Sequence, residues 1–165
     1  PRILDTYRRF GIQQSFFLPG WCVETYPKAV EAILEGGHEI GHHGYLHEDP
    51  IEALDQRYWF ERALAAYRKY CGGTPAGYRA PVYNINQEVV DLLVEYGFRY
   101  ESSMMADDIP YRVETAAGGF WEMPVHWGTD DWPPFAHYAE IGYMSRPDCQ
   151  WHLYSCATQS VCRYL

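Results

Sequence analysis

Helical and strand patterns follow one another along this chain with glycines at the joints, and that alternation points to an α/β fold built on parallel strands. Ile3, Leu4, Tyr7 and Phe10 recur at helical spacing on one face and stop at Gly11. Ser15-Phe16-Phe17-Leu18 is a short apolar run of strand character. Thr25-Tyr26-Pro27 reads as a helix N-terminus with proline in the first turn, and Val30, Ile33 and Leu34 carry its apolar face to Gly36-Gly37. The segment from His38 to His42, broken by glycine, reads as a buried strand running into a loop. A longer helical pattern over about 51–71 places Phe60, Leu64, Tyr67 and Cys71 on one stripe before Gly72-Gly73. Gly77 to Pro81 is a brief strand entering a loop. Asn84 or Asn86 caps a helix whose Val89, Leu92, Leu93 and Tyr96 face inward until Gly97, and Phe98-Arg99-Tyr100 and Phe120 to His126 supply two more strands. Because the series opens on a helix, the strand that should precede Pro1 is expected to be missing.

The 165 residues, 47% hydrophobic and 21% charged, suit one core. A net charge of −9 without a Lys/Arg run argues against nucleic acid and against an anionic membrane surface, and no apolar run is long enough to span a bilayer. Five cysteines, an odd set without a C-x-x-C pair, indicate neither a disulfide framework nor a cysteine zinc site and favour a reducing, cytoplasmic setting. The aromatic share of 17% suits a well-filled core and equally a site that stacks on sugar rings. Beyond Tyr138 the periodicity stops, so the division expected is a domain over 1–138 and an irregular or non-native tail over 139–165.

Four of the seven histidines, His38, His42, His43 and His47, fall within ten residues. Neutral imidazole is the commonest side-chain ligand for zinc, so a metal-dependent hydrolase is the first hypothesis. Two spaced pairs compete. His38-Glu39-x-x-His42 matches the zincin protease pattern, in which a helix presents both histidines and Glu39 acts as base. That reading needs a helix through position 42, whereas the preceding helix stops at Gly36-Gly37. His43-x-x-x-His47 instead lies just past a strand's C-terminal end, where α/β folds place their chemistry.

Five segments in order then resemble one family: Phe16-Phe17-Leu18-Pro19-Gly20, the run from Gly37 to His47, Tyr78-Arg79-Ala80-Pro81, Glu101-Ser102-Ser103-Met104 and Asp130-Asp131-Trp132-Pro133. The chain is similar to the polysaccharide deacetylases with a NodB homology domain, and more closely to their peptidoglycan deacetylase-like and cyclic imide hydrolase-like branch. The resemblance implies a distorted (β/α) barrel, here truncated at both ends. It implies hydrolysis of a carbon–nitrogen bond other than a peptide, chiefly removal of acetyl from an N-acetylated polysaccharide, assisted by a divalent metal with zinc foremost.

Carried over by position, the resemblance gives His43 and His47 as metal ligands. Arg79 would hold a catalytic aspartate, Asp131 would orient a histidine acid, and Trp132 and Tyr83 would meet the substrate. The family's aspartate-bearing first motif and its terminal leucine-x-histidine find no match in these residues, so an incomplete catalytic set is expected, with Arg79 short of its carboxylate partner. The partner expected is a glycan or small-molecule substrate, with assembly into a homo-oligomer left open. A cyclic imide or allantoin-type amidohydrolase, the zincin protease and an inactive carbohydrate-binding domain remain as alternatives.

Overall fold

The computed structural model describes residues 2–126, which divide between two compact units: Pro1–Met104 with Pro110–Met123, and Met105–Ile109 with Pro124 onward. The described residues of the second unit carry no helix or strand. The expected boundary at Tyr138 lies outside the described residues.

In the first unit, helix α1 (Arg2–Phe10) leads to strand β1 (Ser15–Leu18), then α2 (Gly20–Thr25), α3 (Pro27–Glu35) and β2 (Glu39–His42). Helix α4 (Gln56–Tyr70), β3 (Gly77–Tyr78), a 3-10 turn (Pro81–Tyr83), α5 (Gln87–Glu95), β4 (Tyr100–Glu101), β5 (Tyr111–Thr115) and β6 (Gly118–Glu122) follow. The six strands form one sheet in the order β1-β2-β3-β4-β6-β5. Every pairing is parallel except β5 with β6, an antiparallel hairpin. The α/β expectation holds.

Several boundaries move for physical reasons. The long helix starts at Gln56 rather than near 51, because the Asp55 carboxylate accepts the Tyr58 amide at 2.9 Å as its N-cap. Residues 49–54 turn instead, with Asp49 accepting the Ile51 amide at 2.9 Å, and Ile51 and Leu54 are exposed. Thr25 closes α2 and Tyr26 is the joint to α3, so Pro27 begins a helix directly against the end of another. On α1 only Leu4 is buried, with Ile3 and Phe10 exposed. The last strand among the described residues is Gly118–Glu122 rather than 120–126, and its partner β5 was not expected at all.

Helix α4 contributes side chains to both core clusters. Phe60 and Leu64 pack with Tyr78, Val89, Leu92, Leu93, Phe98 and Phe120 in one cluster, while Ala63, Ala66 and Tyr67 join Val23, Val30, Ile33 and Ile40 in the other. Each large apolar side chain buried this way contributes about 1.5–3 kcal/mol before chain entropy is subtracted. The ladder also aligns one row across the sheet, Leu18, His42, Tyr78, Glu101 and Glu122, at the C-terminal ends of the parallel strands. The loops that leave this row carry the candidate site.

Candidate metal centre

Strand β2 delivers the histidines to these loops and sorts them by role. His38 precedes the strand and His42 ends it, four extended residues and roughly 13 Å apart along the chain. His42 is fully buried and stacks on Phe60 at 4.3 Å between ring centroids. Its Nε2 lies 3.2 Å from the Phe60 carbonyl oxygen and its Nδ1 accepts the Gly44 amide at 3.2 Å, so both ring nitrogens are taken. Desolvation lowers its pKa to about 3 and keeps the ring neutral. His38 Nδ1 accepts the Gln14 amide at 3.2 Å, and its ring packs against Tyr7 and Phe16. The pair that matched the protease pattern is therefore structural, and the helix that pattern requires is a strand.

His43 and His47 come together. Their ring centroids are 4.8 Å apart and nearly perpendicular. His43 Nδ1 lies 2.8 Å from the Arg79 carbonyl oxygen, which can only accept, so Nδ1 carries the proton and the lone pair is left on Nε2. Burial, partly offset by that bond, lowers the His43 pKa to about 4, which holds the ring in its neutral, ligating form at neutral pH. The His43 amide donates to the Tyr67 hydroxyl at 3.1 Å, and that hydroxyl donates to the Leu18 carbonyl, tying the ends of β1 and β2 to α4.

The loop between the two histidines is folded by Glu48. Its carboxylate accepts the Tyr45 amide at 2.8 and 3.1 Å and the Leu46 amide at 2.6 Å. Gly44 sits at φ +68, and a Cβ there would lie 2.8 Å from Glu48 Oε1. Only glycine meets both demands. Tyr45 anchors the loop from outside: its hydroxyl donates to Glu24 at 2.7 Å, and Arg62 grips Glu24 at 2.7 and 3.0 Å while lying 4.3 Å over the Tyr45 ring.

All three non-glycine residues with positive φ among those described, His47 at 64, Val82 at 52 and Tyr83 at 60, lie in the loops that follow β2 and β3. Side chains adopt that region at a cost of about 1–3 kcal/mol, and such strain collects at functional sites. A branched residue such as Val82 is an outlier there.

Arg79 stands beside this pair with partners the sequence did not suggest. Its Nε donates to the Ser102 carbonyl at 2.9 Å, its Nη2 donates to the Ser102 hydroxyl at 2.7 Å, and its guanidinium lies 4.4 Å over the Phe17 ring. No carboxylate among the described residues pairs with Arg79, as expected; serine oxygens and an aromatic face, which the sequence did not suggest, support the charge instead. Tyr83 is half-buried, 5.9 Å from the Arg79 guanidinium. Asp131 and Trp132 lie outside the described residues.

Two adjacent imidazoles, that of His43 neutral with its tautomer fixed by a carbonyl, fit a zinc-type ion. Among the described residues no third histidine, cysteine or carboxylate joins them. Sequence reasoning gave no site role to Glu48, Tyr67 or Ser102, although Ser102 lay in one of the five resembling segments. The adjacency of Glu48 to His47 was a signal for the first, but the other two reach the site from distant elements.

A family model described as polysaccharide deacetylase matches residues 1–101. The peptidoglycan deacetylase of Helicobacter pylori is 29% identical over 162 aligned residues, covering 81% of this chain and 55% of that protein. A crystal structure from Mycobacterium smegmatis, named after the polysaccharide deacetylases, superposes with a TM-score of 0.75 at 39% identity, over 80% of this chain and 47% of that one. An allantoinase structure shares the fold with a TM-score of 0.72 at 22% identity, over 95% of this chain and 54% of that one. The chain thus spans about half the length of these relatives. With the barrel-type α/β architecture matched and the family model covering most of the described residues, this chain belongs to the polysaccharide deacetylase family.

Proposed function

We propose that this chain carries the metal-binding part of a deacetylase site that removes acetyl groups from an N-acetylated glycan, with His43 and His47 holding a divalent ion of the zinc type. The observation that carries the proposal is the His43 tautomer: Nδ1–H donates to the Arg79 carbonyl, which leaves the Nε2 lone pair free to ligate beside the second imidazole. A bound ion of this kind supplies Lewis acidity toward the amide carbonyl and a more acidic water.

The protein's own groups do the rest. Burial keeps His43 neutral, Glu48 holds the loop that presents His47, and Ser102 aims the Arg79 guanidinium. Arg79 presents a fixed planar cation suited to orienting a carboxylate base, which lysine would not reproduce. Tyr83 offers a flat apolar face to a sugar ring, and Trp132 would add a second. Asp131 is assigned the orientation of a histidine acid. Peptidoglycan, the substrate named for the Helicobacter relative, is the glycan class proposed.

The test is acetate release from N-acetylated peptidoglycan strands by the polypeptide of the complete reading frame, with added zinc. Release that disappears in His43→Ala and His47→Ala and persists in His38→Ala supports the reading. Release unaffected by His47→Ala contradicts it.

A further inference from the structure

Two buried carboxyl groups take no part in the site as described. Glu101 ends β4 and Glu122 ends β6, the two are partners in the parallel ladder, and each is 0% exposed. Parallel neighbours lie about 4.8 Å apart, so these side chains stand together on one face. Neither forms an ion pair with a described residue. Two uncompensated charges at that separation, out of water, repel strongly enough that only one stays ionised.

The hydrogen bonds indicate which one. Glu101 accepts on both oxygens, the Ser103 amide at 2.9 Å on Oε2 and the Ser103 hydroxyl on Oε1, as an ionised carboxylate does. Glu122 accepts the Met104 amide at 3.0 Å on Oε1, and no donor among the described residues reaches its buried Oε2, which leaves that oxygen for a proton held toward Glu101. Burial first, then the neighbouring Glu101, push the Glu122 carboxyl from 4.5 up to about 9. The groups that face the pair are Tyr78 from β3 in the same row and Tyr111 from β5 opposite Glu122. Helix α5 packs on β6 with Glu88, Asp91 and Glu95 on its exposed side.

From this pair, contacts continue to the histidines. The Ser103 hydroxyl that donates to Glu101 accepts the Ala80 amide at 2.8 Å. Ser102, adjacent in the chain, holds the Arg79 side chain, and the Arg79 carbonyl fixes the His43 tautomer.

We propose that Glu101 and Glu122 share one proton and act as positioning residues for the His43–His47 pair: protonated Glu122 neutralises the dyad, leaving Glu101 free to clamp the Ser102-Ser103 turn against β3. The proposal rests on the deacetylase reading only where it calls His43 a ligand. The folded state binds one proton more than the unfolded state between about pH 4.5 and about 9, so the dyad's contribution to stability is full below that window and declines as pH rises through it.

The test uses the full chain without metal. In carbon-13 spectra of the glutamate carboxyls, assigned with Glu122→Gln, one carboxyl is expected to titrate far above the usual carboxylate range and to be lost in that variant. Two carboxyls already ionised at pH 7 overturn the proposal. Glu122→Gln, permanently neutral and still a donor, should lose the decline in melting temperature between pH 6 and 9 and keep the Nδ1-protonated His43 in nitrogen-15 spectra. A decline parallel to wild type overturns it.

Glu122→Leu, which cannot donate, should mix the His43 tautomers and weaken binding of zinc alone at least tenfold. Unchanged tautomer and affinity overturn the positioning role. Should the leucine variant fail to fold, the wild-type titration and the glutamine variant still decide. The carboxyl titration and the tautomer need neither metal nor substrate, so they stand or fall separately from acetate release.

Discussion

Replacing Glu48 by alanine should loosen the metal pair without unfolding the protein. The carboxylate makes contacts at 2.6–3.1 Å to two backbone amides, and charge-assisted bonds of this kind contribute about 1.5–3 kcal/mol each. Leu46 is 55% exposed, so water replaces the bond at its amide and that loss falls well below the range. His47 is held at φ 64, a conformation that relaxes at a gain of about 1 kcal/mol once the clamp is gone. Together these weaken the zinc-competent loop by about 3 kcal/mol, or on the order of 100-fold in affinity at 1.4 kcal/mol per tenfold.

Glu48→Gln keeps one acceptor oxygen and should lose about fivefold, since one of the two amide bonds survives in neutral form. The melting temperature without metal should fall by less than about 4 °C, because of the loop residues only Tyr45 packs against a core cluster, and Glu24 and Arg62 hold it there independently of Glu48. A zinc competition titration against a chromophoric chelator reads both variants. An affinity of Glu48→Ala within twofold of wild type would refute the clamp.

Three further outcomes follow from the same geometry. His42→Ala should cost about 3 kcal/mol in urea unfolding, because it opens a cavity against Phe60 and leaves the Gly44 amide without its acceptor; a loss below 1 kcal/mol would contradict the assigned packing. The Arg62 bond holds the Glu24 carboxyl below its usual range, so the pair contributes stability above about pH 4.5 that is lost as pH falls. Both side chains are partly exposed, hence Arg62→Met should cost only about 0.5–1 kcal/mol at pH 7, and the difference from wild type should shrink in acid melts. Asp55→Ala removes the α4 cap and should cost about 1 kcal/mol in urea unfolding.

Much of the fold was legible because its punctuation is chemical. Gly11, Gly37 and Gly97 lie just past helix ends at positive φ, and Asn86 caps α5 through the Val89 amide at 3.0 Å. Helix α2 escaped notice because its six residues start without a side-chain cap and are too few for a periodicity. The β5–β6 hairpin did carry a signal, since Arg112 and Glu114 are exposed between half-buried Tyr111, Val113 and Thr115, the alternation of an edge strand. Position 51 misled because Ile51 and Leu54 fit a helical stripe that Asp49 and Asp55 interrupt with local bonds.

The histidine pair was legible from spacing plus the glycine stop before it, which forbade the competing helix. Its supports were not. Arg79 to Ser102 spans 23 residues and His43 to Arg79 spans 36, and no local pattern encodes which oxygen receives which proton across such distances.

The account stands most directly on zinc binding by the chain and its histidine variants, measured by the same competition titration. His43→Ala and His47→Ala should each lower zinc affinity by at least two orders of magnitude, since each removes one of the two proposed nitrogen ligands, while His38→Ala leaves it within about threefold. Loss of zinc in His38→Ala together with retention in His43→Ala or His47→Ala would contradict the account at its centre.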